Sequence, residues 1–321
     1  MRMQDSFWQA LPQPFFIQAP MEDVTDAAFR RHIARHGKPH VMFTEFTSAD
    51  GLVLAPESGQ KTLRKKLEFA PEERPIVAQL FSSIPERMER AAAMVQEMGF
   101  DGIDINMGCP DRSVEKSGCG AALIRTPDLA LELIRAVRRG APRIPVSVKT
   151  RIGYAHNELS TWIPALLSEK PAIITIHART RNEMSDVPAR WEHIREAVAL
   201  RDKAGVATLI AGNGDVKDLD DARAKAAETG CDGIMLGRAI YGNPWLYTGR
   251  TQPPTRQERI TVLREHVILF DELLSEVKSF AVMKKHFKAY ISGWDGAKEF
   301  REHLMAATTP QEAIAILESE L

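Results

Sequence analysis

Residues 101–110, Asp-Gly-Ile-Asp-Ile-Asn-Met-Gly-Cys-Pro, are the stretch from which the fold is read. Residues 102–106 alternate small or apolar with polar side chains and carry β-branched isoleucines, the pattern of a short strand. Met107, Gly108, Cys109 and Pro110 then break the strand into a turn. The strand thus ends in an amide, Asn106, and hands a thiol, Cys109, to the loop that follows. The carboxyl end of a strand is where α/β folds place their chemistry. A buried strand with an incidental small cysteine is the competing reading.

Similar runs recur outward in both directions. Strands are expected at 15–19, 41–44, 76–80, 146–150, 173–177, 208–212 and 233–237. Helical patterns separate most of them. Residues 84–98 carry Met88, Ala91, Ala92 and Val95 at i, i+3, i+4 and i+7. Residues 129–138 follow Thr126-Pro127, a cap with proline in the first turn; 189–204 and 217–229 fit the same logic. About eight strand–helix alternations over some 240 residues predict an α/β fold, a TIM (β/α)8 barrel. An open doubly wound sheet would want GxGxxG after the first strand, and Gln18-Ala19-Pro20-Met21-Glu22 is not that. The character changes after Pro244. Thr251-Gln-Pro-Pro-Thr255 reads as a linker, and 257–277, 280–291, 295–305 and 310–321 read as helices. The expected organisation is a barrel over 1–250 followed by a small C-terminal helical domain over 256–321.

Composition narrows the class. Of 321 residues, 44% are hydrophobic and 26% charged, as in soluble globular proteins. No apolar run is long enough to span a bilayer, so no membrane association is expected. Residues 1–10 lack the apolar core of a secretory signal. Cys109, Cys119 and Cys231 form no CxxC pair, which predicts neither a disulfide framework nor a zinc knuckle and fits a reducing cytoplasm. No metal is expected. A formal net charge of −1 is unlike a strongly basic nucleic-acid binder. Any RNA contact must use local charge, as in Lys61-Arg64-Lys65-Lys66, Arg179-Arg181 or Lys284-Lys285-His286-Lys288. Each of these could equally be a solvated face.

In a barrel the strand ends share one pocket. Here they supply Ala19-Pro20-Met21, Thr44-Glu45, Gln79, Asn106 with Cys109, Lys149 with Arg151, His177 with Arg179, Gly212-Asn213-Gly214-Asp215, and Gly237-Arg238. The last two loops suit a phosphate, because glycine lets backbone N–H groups approach an anion and Arg238 adds a cation. Lys149 and His177 on adjacent strands would strain an empty interior unless something electron-rich lay between them. A flavin ring meets that need, with Gln79 in reach of its edge. Alternatively Lys149 pairs with Glu45 or Asp104, and His177 is a core histidine. An ordinary thiol of pKa about 8.5 is about 97% protonated at pH 7, so Cys109 could donate a proton untuned. Cys119, in Lys116-Ser-Gly-Cys-Gly-Ala-Ala122, and Cys231 read as structural.

Taken together, Pro20-Met21 with Val24-Thr25-Asp26, Gln79-Leu-Phe81, the 101–110 stretch, Gly118-Cys-Gly-Ala-Ala-Leu123, His177-Ala-Arg-Thr-Arg181, Gly212-Asn-Gly-Asp215 and Gly237-Arg-Ala-Ile-Tyr-Gly-Asn-Pro-Trp245 resemble the tRNA-dihydrouridine synthases. The resemblance implies bound FMN, NADPH as reductant, and reduction of the C5=C6 bond of particular uridines in tRNA. It implies that Pro20 and Met21, with Glu22 beside them, meet the flavin. Gln79, Lys149 and His177 would hold its ring, and Asn213, Gly214, Asp215, Gly237 and Arg238 its ribityl chain and phosphate. Cys109 would give the proton to C5, Asn106 would hold the flipped uracil, and Arg151 and Arg179 would lie against RNA. The C-terminal helices would bind tRNA, and a monomer is the expected form. The chain departs from the family pattern at Glu22-Asp23, where Ala-Gly is common. It departs again at Asn182-Glu-Met-Ser-Asp-Val-Pro188, so the modified tRNA position is not implied. A free-pyrimidine oxidoreductase of the dihydroorotate type and a non-catalytic RNA-binding module are the alternatives.

Overall fold

The computed structural model describes residues 6–321; of the N-terminal stretch read above, 1–5 lie outside the described residues. Eight parallel strands alternate with helices. In chain order they run β1 (Phe15–Gln18), α1 (Ala27–Gly37), β2 (Met42–Ser48), α2 (Ala49–Leu54), α3 (Glu57–Lys66), β3 (Ile76–Phe81), α4 (Pro85–Glu97) and β4 (Gly102–Met107). Then come α5 (Arg112–Lys116), α6 (Pro127–Gly140), β5 (Val146–Arg151), α7 (Leu159–Ser168), β6 (Ile173–His177), α8 (Glu192–Ala204), β7 (Leu209–Asn213), α9 (Leu219–Thr229) and β8 (Gly233–Leu236). Sequential strands are neighbours, and β1 pairs with β8. A parallel bridge from Ile17 to Val41 brings β1 back beside β2, so the sheet curls into a barrel of the TIM type.

Strand periodicity of two sorts the side chains. Phe15, Ile17, Phe43, Val77, Ile173, Leu209 and Met235 point inward and form an apolar plug with Trp8. Trp8 stacks near Phe15 and Phe43, with ring centroids 5.8 and 6.4 Å away. The alternate residues, among them Ile76, Ile103, Ile105, Val148, Ile174, Ile210 and Ile234, face the helix layer. Full burial of such a side chain contributes about 1.5–3 kcal/mol, so the two faces fix each strand's register. The filled end of the barrel is the amino end of the strands. Polar residues therefore collect at the other.

Strand positions agree with the expected ones to within a residue or so, except at β2. That strand continues to Ser48 through a register shift between Phe43 and Phe46. Glu45 and Thr47 lie beyond the expected end at 44, yet both are buried, as is Thr44. Thr44 Oγ1 accepts the Gln79 amide at 3.1 Å, so the ladder continues through a side chain. Helices α2 and α3, between β2 and β3, carried no clear sequence signal; α3 lacks a side-chain cap. Among the described residues no helix is long and apolar enough to cross a membrane.

Four further helices follow: α10 (Arg256–Leu274), α11 (Lys284–Tyr290), α12 (Ala297–Ala306) and α13 (Pro310–Glu318). The expected 280–291 helix divides into a 3-10 turn, Phe280–Met283, and α11. Thr255 caps α10 in a capping box with Glu258, which gives the linker a sharp end. These helices have their own apolar cluster, including Leu263, Val267, Phe270, Phe287 and Leu304, into which Ala28 of α1 packs. Lys278, just past α10, ties them to the barrel mouth. Lys278 Nζ donates to both Glu45 carboxylate oxygens at 2.8 and 3.0 Å, and lies 3.6 Å from Asp26. Burial pulls the Lys278 pKa down, but Glu45 and Asp26 outweigh it and the net shift is upward. Glu45 is wholly buried at β2 and therefore belongs to Lys278, not to Lys149.

Removing one partner of a buried pair leaves the other charge without compensation. Lys278→Met is expected to cost about 3–5 kcal/mol in chemical denaturation. A cost under about 1 kcal/mol, the value of an exposed pair, would show that Glu45 finds water or another partner.

Candidate active site

The polar end of the barrel holds a cavity of about 580 Å3, within the range of small-molecule sites. Its wall gathers Pro20 and Met21 after β1, Lys149 on β5, His177 on β6 with Arg179, Asn213, Gly214 and Asp215 at the end of β7, and Gly237 and Arg238 after β8. A larger hollow of about 820 Å3 lies against the outer side of α3, lined by residues such as Glu57, Lys61 and Met98 and by no strand end. The sheet register makes the inner cluster. Asn106 sits opposite Lys149, Arg151 opposite His177, and His177 opposite Asn213.

Local structure fixes each wall residue. The Met21 amide donates to Thr25 Oγ1 at 2.9 Å, and Asp26 caps α1 through the Phe29 amide at 3.0 Å. That holds the Pro20–Met21 turn. Gly214 has φ +125, and a Cβ there would lie 2.8 Å from Ala189 and 3.1 Å from the His177 ring. The loop backbone therefore lies directly against His177. Arg179 donates to His177 Nε2 at 3.0 Å, which assigns the imidazole proton to Nδ1. Burial, with Arg151 and Lys149 nearby, holds the His177 pKa well below its usual value, so the ring is neutral. Lys149 is pulled down to about 8 by burial and by Arg151 and remains mostly charged at neutral pH.

Asp215 links Arg179 and Arg238, accepting from Arg238 at 2.6 Å. Burial alone would raise its pKa, but the Ala189 amide and both arginines bring it below the ordinary carboxylate value. An anion reaching this loop shares Arg238 with a carboxylate already in place. The wall as a whole offers cations, a neutral imidazole donor, the Asn213 amide and glycine backbone. That set suits a ligand with an anionic group and a hydrogen-bonding ring edge, so FMN fits the residues present.

Cys109 is not part of the wall. It rides on the loop beside it, half-buried, close enough for Lys149 and Arg151 to act on the thiol electrostatically. Burial is the largest influence and pushes its pKa up, so the sulfur carries its proton. Four hydrogen bonds from three residues hold the loop. Asn106 Oδ1 accepts from the Gly108 and Cys109 amides at 3.1 and 2.9 Å. Arg151 Nε donates to the Gly108 carbonyl at 2.8 Å. The Ala121 amide donates to the Cys109 carbonyl at 2.9 Å. Gly120, at φ +61, allows that approach, since a Cβ would sit 2.6 Å from the Cys109 oxygen.

The other expected site residues make hydrogen bonds of their own. Asn106 Nδ2 donates to Gln79 Oε1 at 3.0 Å, and Gln79 Nε2 donates to Asp104 Oδ2 at 2.7 Å. Asn106 thus orients the Cys109 loop and keeps one further N–H, and Gln79 stands outside the cavity lining. Arg151, expected against RNA, is buried and also donates to the Thr180 and Met184 carbonyls at 2.9 and 2.8 Å. Glu22 pairs with Lys66 outside the wall. Cys119 and Cys231 are buried, as expected.

Asp104, considered in the sequence only as a possible partner of Lys149, has a role that sequence reasoning missed. Ser147 Oγ donates to its Oδ1 at 2.6 Å. Burial raises its pKa to about 6 against those hydrogen bonds and Lys149. The signal was present: Asp104 lies two residues before Asn106 and so shares its face. A carboxylate accepts only, so it turns the Gln79 NH2 toward itself, the Asn106 NH2 toward Gln79, and the Asn106 carbonyl toward the Cys109 amide.

Comparisons with known proteins fit this geometry. Residues 17–321 match the family model described as Dihydrouridine synthase (Dus). A "Probable tRNA-dihydrouridine synthase" of Staphylococcus aureus (strain COL) is 41% identical over 318 residues, 98% of this chain and 96% of the relative. A "Probable tRNA-dihydrouridine synthase 2" of Bacillus subtilis (strain 168) is 40% identical over 98% of this chain and 97% of its own length. Two solved structures share the fold at low identity. A 2-naphthoyl-CoA reductase complex has TM-score 0.57 and 13% identity, covering 73% of this chain and 49% of that one. Histamine dehydrogenase from Rhizobium sp. 4-9 has TM-score 0.54 and 14% identity, covering 79% and 48%.

Asp104→Asn replaces the fixed acceptor with a group that can face either way. Loss of one net hydrogen bond, about 1 kcal/mol, is expected to speed exchange of the Cys109 amide about fivefold in hydrogen-exchange measurements. Unchanged protection would show that Asp104 does not orient the loop. The variant also changes the pH dependence. Asp104 is raised from 3.8 to about 6, so folding favours its protonated form. That contribution, about 3 kcal/mol for about two pKa units, is full below pH 3.8 and lost as pH rises through about 6. Asp104→Asn should flatten stability over that interval.

Proposed function

This chain belongs to the dihydrouridine synthase family, and we propose that it reduces the C5=C6 bond of particular uridines in tRNA to dihydrouridine, with FMN in the strand-end cavity and NADPH as reductant. The observation that carries this reading is a protonated thiol, Cys109, on a clamped loop beside a cavity walled by Lys149, His177, Asn213 and Arg238. When bound, reduced FMN supplies a hydride to uracil C6.

The chain's own residues do the rest. Lys149 sets a cation at the wall, where negative charge on a bound ring edge gains most from it. His177 offers Nδ1–H, since its Nε2 is occupied by Arg179. Gly214 and Gly237 open the backbone to a phosphate, and Arg238 swings between that phosphate and Asp215. Pro20 and Met21 close the cavity beside Gly237, on the neighbouring strand end. Cys109 gives its Sγ proton to C5, completing the addition across the double bond, and the thiolate left behind recovers a proton from water. Burial suits this role, because a thiol held protonated is an acid and a poor nucleophile.

Uridine must leave its stack to reach this mouth, at a cost of a few kcal/mol. Contacts between tRNA and the C-terminal helices offset that cost. We assign residues 256–321 as the tRNA-binding region and 1–250 as the catalytic one. Lys278 fixes the orientation of the first against the second. With a net charge of −1, binding depends on local basic clusters, because Arg179 is itself buried against His177, Asp215 and the Val187 carbonyl. The proposed form is a monomer working in the cytoplasm.

Cys109→Ala tests the reading directly. With FMN, NADPH and tRNA lacking dihydrouridine, the variant is expected to form product at least about 100-fold more slowly, the usual scale of a lost general acid. It should keep its yellow colour and its affinity for tRNA. Dihydrouridine formation at the parental rate would remove Cys109 from the chemistry. Turnover of free orotate with no action on tRNA would replace the substrate class.

A further inference from the structure

A second cluster of chemically able side chains lies where α1 meets the C-terminal helices. His32 and His36 are four residues apart on α1 and so share one face of that helix. Glu265 comes from α10, which packs across α1. His36 Nε2 lies 2.6 Å from Glu265 Oε2. One ligand atom from each of His32, His36 and Glu265 falls within 4.8 Å of the other two.

His32 supplies the independent observation. It is wholly buried, and neither ring nitrogen has a hydrogen-bond partner. A neutral imidazole carries one N–H and one lone pair, and a buried one ordinarily satisfies both. Its neighbours cannot do so. His266 stacks on it at 5.2 Å with the rings 6° from parallel, and the Tyr290 ring lies 6.2 Å away. The Tyr290 hydroxyl and both His266 nitrogens are themselves buried without partners. Imidazoles so crowded and unbonded amount to a set of lone pairs awaiting an acceptor of electrons.

We propose that His32, His36 and Glu265 bind a divalent first-row transition ion such as Zn2+ between α1 and α10. Two imidazoles and a carboxylate are a borderline donor set that suits zinc, whereas calcium and magnesium prefer oxygen ligands throughout. Ligands about 2.1 Å from a tetrahedral ion stand about 3.4 Å apart. The His36–Glu265 pair must therefore open slightly and His32 must close on it, both of which are side-chain rotations. Access is available, since the side chains of His36 and Glu265 are 20% and 39% exposed while His32 forms the floor. Water fills the fourth position. Because one side of the site belongs to α1 of the barrel and the other to α10, the ion clamps the C-terminal helices to the barrel. The site is independent of the uridine chemistry.

The test uses tag-free, FMN-loaded protein, stripped with a chelator and then given one equivalent of ZnCl2. After gel filtration, elemental analysis is expected to find one zinc per chain, with Tm raised by at least about 3 °C. His36→Asn and Glu265→Gln change half-exposed groups and should fold, keep flavin, and bind zinc at least about tenfold more weakly. Parental protein that retains no zinc and shows no shift in Tm would overturn the proposal. Zinc retained equally by both variants would also overturn it, since the ion would then sit elsewhere.

Discussion

Every strand of a closed parallel barrel sends alternate side chains to the inside, and that geometric constraint governs the rest of this molecule. At the amino end of the strands the inward residues are Phe15, Phe43, Val77, Ile173 and Leu209, sealed by Trp8. Two or four residues further along β3, β6 and β7 the same face carries Gln79, His177 and Asn213, and β4 and β5 add Asn106 and Lys149. Hydrophobic burial at one end thus forces polar groups together at the other. Their desolvation is what perturbs them: Lys149 falls to about 8, Asp104 rises to about 6, and His177 is held neutral. Such opposed shifts within one mouth are the mark of a place built for charge to change.

A strand can deliver a loop to that mouth but cannot hold it still. The hold comes from hydrogen bonds whose direction is set by a single acceptor-only group. Asp104 orients Gln79, Gln79 orients Asn106, and Asn106 orients the amides of Gly108 and Cys109. Arg151 and Ala121 secure the carbonyls of the same turn. The position of the thiol is then over-determined. A proton donor that must meet one carbon atom needs this kind of support more than it needs an altered pKa.

Much of this was legible in the chain. The alternation of strand and helix patterns gave the barrel, and the polar residue ending each strand gave most of the cavity wall, because both depend on spacing within one segment. What could not be read depends on meetings between distant segments. Asn106 and Gln79 look like ligand-binding amides, and only the fold shows what else they hold: Asn106 donates to Gln79, Gln79 to Asp104, and Ser147 on the next strand fixes Asp104. Arg151 looks like an RNA contact until the 177–184 loop folds over it. β2 runs past its expected end because Lys278, more than two hundred residues away, neutralises Glu45. Of the histidine cluster only His32 and His36 stand at helical spacing in the sequence, and Glu265 joins them only when α10 packs on α1.

The central claim is spatial: Cys109 faces one side of a single pyrimidine while FMN in the cavity faces the other. A crystal structure of the FMN-loaded protein tests it most directly. Two van der Waals layers of about 3.5 Å should separate ring and sulfur, placing Cys109 Sγ roughly 7 Å from the flavin plane with open space between. A sulfur turned away from the ring, or a flavin bound anywhere but against Lys149 and His177, would contradict it.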